Sequence, residues 1–175
     1  AFIYKKSNIF LTGKHFDNGY YHFFIESLSH DPRLDVSYFP AEDKFNTRVL
    51  NDKFDIILLF GNHEWEIPNE LEGINDLGIP VIARAGEPHR AYKEGINVLH
   101  KKYNIDHYFG FFHEASFHKF YPLDFKYKTV IFGLKTSLYQ NLTPFDMRIK
   151  NRILNTGAVG TRKITSKLRA WIRDK

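Results

Sequence analysis

The stretch Phe54-Asp55-Ile56-Ile57-Leu58-Leu59-Phe60-Gly61-Asn62 decides the fold class of this chain. It is nearly continuous apolar sequence, and it stops at a Gly-Asn pair that is typical of a turn. A short run of this kind predicts a strand buried on both faces, which is the mark of a parallel sheet.

The segments on either side of this strand alternate between strand and helix patterns. Further strands are predicted at residues 8–13, 34–40, 79–85, 107–111 and 127–133. Helices are predicted at residues 18–29, 68–77, 91–102 and 114–120, and residues 43–51 are ambiguous, with a short helix as one interpretation. This alternation predicts an α/β fold of Rossmann-like, doubly wound design, with a mostly parallel sheet and helices on both faces.

Composition sets outer limits on structure and function. The 175 residues are 43% hydrophobic and 17% aromatic, which favours one folded domain of ordinary size over disorder. The absence of cysteine excludes disulfides, thiolate zinc sites and cysteine nucleophiles, and it favours a reducing, cytoplasmic location. No apolar run approaches the roughly 20 residues of a membrane span, so we expect a soluble protein without a transmembrane segment.

Positive charge is concentrated near the end of the sequence. The net charge is +5, and residues 148–175 carry nine Lys or Arg side chains against Asp174 alone. Such a segment attracts phosphate in a nucleic acid, a nucleotide sugar or an anionic membrane surface, or it is simply a solvated helix face. Nucleic acid is disfavoured because no RNP-like or helix-turn-helix signature is present, while peripheral membrane contact stays open.

Four predicted strands end in loops that contain glycine, and three of these loops also contain histidine or a carboxylate. They are residues 12–16, 61–65, 86–90 and 133–136. Ligands of open α/β sheets bind at the carboxyl ends of the strands, which makes these loops the expected working surface. The candidate binding residues are Gly13, Lys14, Asn62, His63, Glu64, Gly86, His89 and Arg90. The plain alternative is that the glycines only turn the chain and the histidines lie on a polar surface.

General-base candidates come from the same loops. Histidine titrates near neutral pH without special tuning, whereas glutamate needs burial or a like charge to do so. His15, His63 and Glu87 are therefore the candidates. His15 precedes the first helix and Glu87 stands in a Gly-Glu-Pro turn, so both are placed to face the crevice.

Two familiar ligand motifs are not supported. His113 and His118 nearly copy the zincin helix, but the second histidine comes one residue too late and the two imidazoles diverge. We therefore predict no metal site there. Residues 12–19 contain neither the G-x-G-x-x-G fingerprint nor a P-loop, so a dinucleotide or triphosphate in that turn is not expected.

A better anion site lies near the end of the chain. Gly157 and Gly160 would let the backbone approach a phosphate, and Arg162 supplies positive charge before a predicted helix. An ordinary strand-to-helix turn explains the same residues equally well.

Taken in order, these features resemble the N-terminal half of a two-domain GT-B glycosyltransferase of the spore-maturation-type and family-one-like group. The resemblance covers most of the chain, and it lies in the order of the features along the sequence rather than in identical amino acids. The matching parts are Thr12-Gly13 before an aromatic helix, residues 54–59, residues 78–82 leading to Gly86-Glu87-Pro88-His89, residues 103–109, residues 130–134, and residues 152–159 followed by Arg162 and Leu168-Arg169.

The resemblance implies an acceptor-type domain at residues 1–140, a linker at 141–151, and either the start of a second domain or a basic C-terminal helix at 152–175. It implies sugar transfer from a nucleotide sugar to an acceptor hydroxyl of a sugar or glycan, with neither a cofactor nor an obligatory metal. His15 and Glu87 fall where such enzymes place a base or acceptor contacts, and Gly157, Gly160 and Arg162 fall where the donor diphosphate is approached. Because the last predicted helix breaks off at Lys175, we expect a fragment that lacks most of the donor-binding domain.

A non-catalytic alternative stays open. A Rossmann or flavodoxin-like domain would use the same loops to bind a ligand or a partner protein. The response-regulator subtype is disfavoured, because Thr12-Gly13 and Gly61-Asn62 stand where an acidic cluster and a phosphoacceptor aspartate are required.

Overall fold

The computed structural model describes residues 1–8, 11, 20–61, 66–86, 96–130, 140–141 and 144–147, with residues 20–23, 96–98 and 145 described by backbone alone. The strands are β1 (Phe2–Lys5), β2 (Tyr38–Ala41), β3 (Lys44–Asn46), β4 (Ile57–Leu59), β5 (Glu70–Glu72), β6 (Val81–Arg84), β7 (His107–Gly110) and β8 (Tyr127–Thr129). The helices are α1 (Tyr20–His30), α2 (Ile96–Tyr103) and α3 (Glu114–Phe117), with 3-10 helices at Thr47–Leu50, Ile74–Asp76 and Phe145–Met147. The chain divides into two compact units, Ala1–Lys135 and Thr136–Lys175.

The first unit is built on a six-stranded sheet in the order β2-β1-β4-β6-β7-β8. Each neighbouring pair in this sheet runs parallel. Parallel strands require crossover connections, and the apolar run at residues 54–60 supplies the central strand β4. The predicted α/β class with a parallel sheet is confirmed.

Alternate residues along the strands enter two separate apolar clusters, as the two-residue period of a strand requires. One cluster contains Phe2 of β1 together with Leu58 and Ile82, and the other contains Ile3 with Ile57. Both sides of the sheet are therefore apolar, which explains the unbroken hydrophobic sequence of β4.

Helix α1 packs on the face that carries Phe2. The Phe24 ring lies 5.7 Å from the ring of Phe60 and 5.4 Å from that of Phe109, and Phe2 lies 5.3 Å from Phe60. Phe24, Ile25 and Leu28 pack on this cluster, which accounts for the apolar pattern of α1 from residue 24 onward. The predicted helix at 18–29 is confirmed over residues 20–29.

The opposite face carries a second aromatic cluster beneath β7 and β8. The Phe117 ring stacks 4.1 Å from both Tyr121 and Tyr127, and Tyr108 stacks 5.4 Å from Phe125. Burial raises the pKa of Tyr108 well above its usual range and that of Tyr127 to about 12. These phenols therefore stay neutral and act as core residues.

The predicted helix at residues 68–77 is wrong. Residues Glu70–Glu72 form β5, which pairs in parallel with β3, and a 3-10 helix follows at Ile74–Asp76. Leu71 and Ile74 are the buried residues that imitate a helical period, but Gly73 between them has φ of +79° and no α-helix continues through it. The ambiguous residues 43–51 become β3 and a 3-10 helix.

The predicted first strand at residues 8–13 is also wrong where it is described. The strand is Phe2–Lys5, and the Asn8 amide donates to the Lys5 carbonyl while the Leu11 amide donates to the Asn8 carbonyl, which are turn contacts. Leu11 is buried, so its apolar side chain indicates burial and not a β-strand.

The described part of the chain contains three α-helices, and α3 is only four residues long. The doubly wound, Rossmann-like description is therefore supported in part. In the second unit, the Met147 amide donates to the Pro144 carbonyl at 3.0 Å within a 3-10 turn. The domain boundaries proposed at residues 140 and 151 stay predictions.

Candidate functional site

The strand order reverses between β1 and β4. From β1 the chain goes to β2 on one side, and the later strands β4, β6, β7 and β8 are added on the other side. In open α/β sheets a crevice forms at such a reversal, outside the carboxyl ends of the two strands, and ligands bind there. The candidate site is therefore the edge where Lys5, Leu59 and Arg84 end their strands.

An ion pair is buried at this edge. Arg84, the last residue of β6, donates from its Nη2 to Glu66 Oε1, and the two side chains are 6% and 3% exposed. The Arg84 guanidinium carbon also lies 5.0 Å above the Phe60 ring, in cation–π geometry. Charges buried this deeply must be paired, because desolvating an isolated charge costs several kcal/mol.

The segment after β1 is joined to the same point through Glu66. The Lys5 amide donates to the Glu66 carbonyl at 2.9 Å, and Asn8 Nδ2 donates to that carbonyl at 3.5 Å. Asn8 is 1% exposed. The carboxyl ends of β1 and β6 therefore converge on Glu66.

Gly61 makes room for this arrangement. Its φ is +154°, and an added Cβ would overlap the Glu66 side chain, with the Glu66 Cδ only 2.8 Å away. A side chain at position 61 would compete with Glu66 for space. Glycine is required here by close approach as well as by backbone geometry.

Gly86 is the one predicted site residue that the structure describes, two residues beyond the end of β6. Ahead of it, the Ala85 amide donates to the Phe109 carbonyl at 2.7 Å, so the backbone stays tied to β7 up to this point. The remaining predicted site residues lie outside the described part of the chain. They are Gly13, Lys14, His15, Asn62, His63, Glu64, Glu87, His89, Arg90, Gly157, Gly160 and Arg162.

Three residues at this edge were missed by sequence reasoning, namely Asn8, Glu66 and Arg84. Arg84 carried a usable signal, because a charge inside the otherwise apolar run at residues 79–85 implies a buried partner. Nothing local to Glu66 identifies it as that partner, since the pair spans 18 residues and the intervening segment.

The two histidines of the near-zincin segment have structural roles. His113 caps α3, with its Nδ1 accepting from the Ala115 amide at 3.2 Å, and His118 Nδ1 donates to the Pro122 carbonyl at 3.1 Å. Across the residues that the structure describes, no three His, Asp or Glu side chains are grouped so as to hold a metal ion.

A cavity of about 450 Å³ lies at the opposite, amino edge of the sheet. Its lining includes Phe2, Val36, Phe54 and Ile56. We assign the candidate site to the carboxyl edge instead, because helix N-termini and free backbone amides converge at that edge in parallel sheets.

Comparison with known proteins adds no assignment: no family model, curated protein or solved structure matches this chain. Among the described residues, no helix is both long and apolar enough to cross a membrane. The geometry of the carboxyl edge and the sequence are therefore the basis for a functional proposal.

Proposed function

We propose that this chain is the acceptor-binding part of a glycosyltransferase, with a doubly wound, Rossmann-like sheet whose carboxyl edge forms one wall of the cleft. The observation that carries the proposal is the reversal of strand order between β1 and β4. Gly61 and Gly86, which open the loops predicted at residues 61–65 and 86–90, follow the carboxyl ends of β4 and β6 at this edge. The cysteine-free sequence fits a reducing, cytoplasmic setting.

The proposed chemistry is sugar transfer to an acceptor hydroxyl. His15 or Glu87 accepts the hydroxyl proton while the acceptor oxygen bonds to the sugar carbon, and the bond from that carbon to the donor phosphate breaks. Asn62, His63, His89 and Arg90 would bind the acceptor. A second domain, beginning near residue 152, would bring the nucleotide sugar, with the charge on the departing diphosphate met at Gly157, Gly160 and Arg162.

Transfer by the full-length protein tests this proposal. A panel of nucleoside diphosphates is first screened by thermal shift, because a ligand that binds only the folded state raises Tm. The nucleotide that raises Tm is then supplied as its sugar conjugates, with diphosphate release as the readout. We expect His15→Ala or Glu87→Ala to lower kcat by about 100-fold, the usual scale for a lost general base. The proposal fails if no conjugate is hydrolysed or transferred, or if both variants retain full activity.

A non-catalytic binding domain is the second candidate. It is favoured by the strand order itself, which without β3 and β5 is 2-1-3-4-5-6, the 2-1-3-4-5 pattern of flavodoxin-like binding domains with β8 added as a sixth strand. Thermal stabilisation by a small ligand or a nucleotide, without turnover of any conjugate, would support this candidate over the enzyme.

A further inference from the structure

We propose that Glu66 and Arg84 are positioning residues, which hold the two loops of the candidate site in a fixed relation to each other. This inference rests on the proposed function for the role of the loops. The way in which the ion pair holds them does not depend on that function. Glu66 directly follows residues 62–65, and Arg84 stands three positions before Glu87. One hydrogen-bonded ion pair therefore joins the residue that directly follows the predicted loop with His63 to the residue that ends β6, three positions before Glu87.

The pair is not placed to contact a substrate. Both side chains are more than nine-tenths buried, and the guanidinium is further covered by the Phe60 ring. The pair can fix the relative orientation of the two backbone segments that carry it, because a guanidinium and a carboxylate interact in a narrow range of geometries. Apolar side chains have no such directional preference.

Stability alone does not account for such a pair. Replacing a buried ion pair with apolar side chains of similar volume is often neutral or stabilising, since the desolvation of two charges offsets their attraction. The local structure is nevertheless shaped around these charges. Gly61 leaves room for the Glu66 side chain, and the Glu66 carbonyl accepts from Lys5 and Asn8.

Spin labels measure the positioning directly. These 175 residues have no cysteine, so His63→Cys and His89→Cys introduce the two attachment sites within them, and any cysteine elsewhere in the full-length protein is first replaced by serine. Pulsed electron resonance then gives the distance distribution between the labels. We compare the parent protein, Glu66→Gln, and the apolar pair Glu66→Leu/Arg84→Met, which is expected to fold because it removes both buried charges together.

We expect the distance distribution to widen at least twofold in the apolar pair and by a smaller factor in Glu66→Gln. The matched control is Arg48→Met, which removes the exposed Arg48–Glu72 pair of the same chemistry and should leave the distribution unchanged. A narrow distribution in a well-folded apolar pair would show that Glu66 and Arg84 do not position the loops, and it would overturn the inference.

Kinetics of the same variants without labels give the second readout. The acceptor KM should rise at least tenfold in the apolar pair, while the donor KM stays within twofold of the parent value, because the donor is held by the other domain. A merely structural role would change neither KM selectively. If the parent protein transfers no sugar, the proposed function fails, and the label distances still decide the positioning inference.

Discussion

Two ion pairs in this molecule have the same chemistry and different surroundings. Arg84 pairs with Glu66 at the carboxyl edge of the main sheet, and Arg48 pairs with Glu72 beside the two-stranded sheet at 2.6 Å. The first pair is 6% and 3% exposed, and the second is 55% and 56% exposed. Water screens the second pair and supplies alternative partners, so only the first imposes one arrangement on the backbone around it. Four experiments test whether burial is what separates the two pairs.

The largest effect is expected from Arg84→Met. The substitution leaves the Glu66 carboxylate buried without its guanidinium, which costs about 3–5 kcal/mol. Urea denaturation measures the free energy of unfolding. The double variant Glu66→Leu/Arg84→Met should recover most of the loss, because it removes both charges. A single variant within about 1 kcal/mol of the parent would show that Glu66 finds another partner or water.

The second largest loss of stability is expected from filling the space beside Glu66. Gly61→Ala places a methyl group against the Glu66 side chain and should cost roughly 3 kcal/mol, at the upper end for overpacking. Gly78→Ala is the matched control. Gly78 has φ of +64° but no atom within 4 Å of an added Cβ, so about 1 kcal/mol of backbone strain is expected. Equal losses in the two variants would refute a steric role for Gly61.

His100 is an intermediate case, in which charge is disfavoured by partial burial. Its ring stacks 3.8 Å from Phe125 and its Nδ1 hydrogen-bonds the Tyr108 hydroxyl at 3.1 Å. Burial lowers the pKa of His100, and Asp124 and Asp106 oppose this effect only in part. The unfolded chain therefore binds this proton more readily than the folded chain does.

The contribution of His100 to stability therefore depends on pH. The contribution of His100 to stability is full above its unfolded pKa of about 6.5 and is lost as pH falls through that value towards the lowered folded pKa. We expect Tm to drop by a few degrees between pH 7.5 and 5.5, and His100→Phe to reduce this drop. An unchanged drop in His100→Phe would exclude His100 as its source.

The smallest effect is expected from Arg48→Met. Arg48 also pairs with Asp76 at 3.5 Å, so the substitution removes two exposed pairs. Together they should contribute between about 0.2 and 1 kcal/mol, and this contribution should shrink in 1 M salt. Urea denaturation at low and high salt measures both quantities. A loss as large as that of Arg84→Met would mean that exposure does not separate the two pairs.

The sequence predicts the central strand of the six-stranded sheet, but it does not predict the separate two-stranded sheet of β3 and β5. The run at residues 54–60 was recognised because burial on both faces leaves no polar position in the strand, and β4 falls within it. The short β5 was missed because its ladder to β3 is a tertiary contact, while Leu71 and Ile74 imitate a helical period. Local propensity cannot detect pairing between segments that lie on either side of β4.

The candidate site was likewise predictable from the sequence only in part. Gly86 follows from the rule that glycine closes a buried strand, and the structure puts it just beyond β6. The Glu66–Arg84 pair depends on a turn residue after β4 meeting the last residue of β6, 18 positions away, and a single sequence does not carry that information. The roles of His15 and Glu87 stay predictions that the kinetic variants address.

The two-stranded sheet constrains how this chain can be divided. β3 belongs to the segment before β4, and β5 belongs to the segment after it, yet their backbones share a ladder from Lys44 and Glu70 to Asn46 and Glu72. A cut between residues 51 and 55 would separate the two halves of this ladder as well as β1 from β4. Neither half would then be an autonomous folding unit, so gene fusion, circular permutation or fragment complementation should use a different joint.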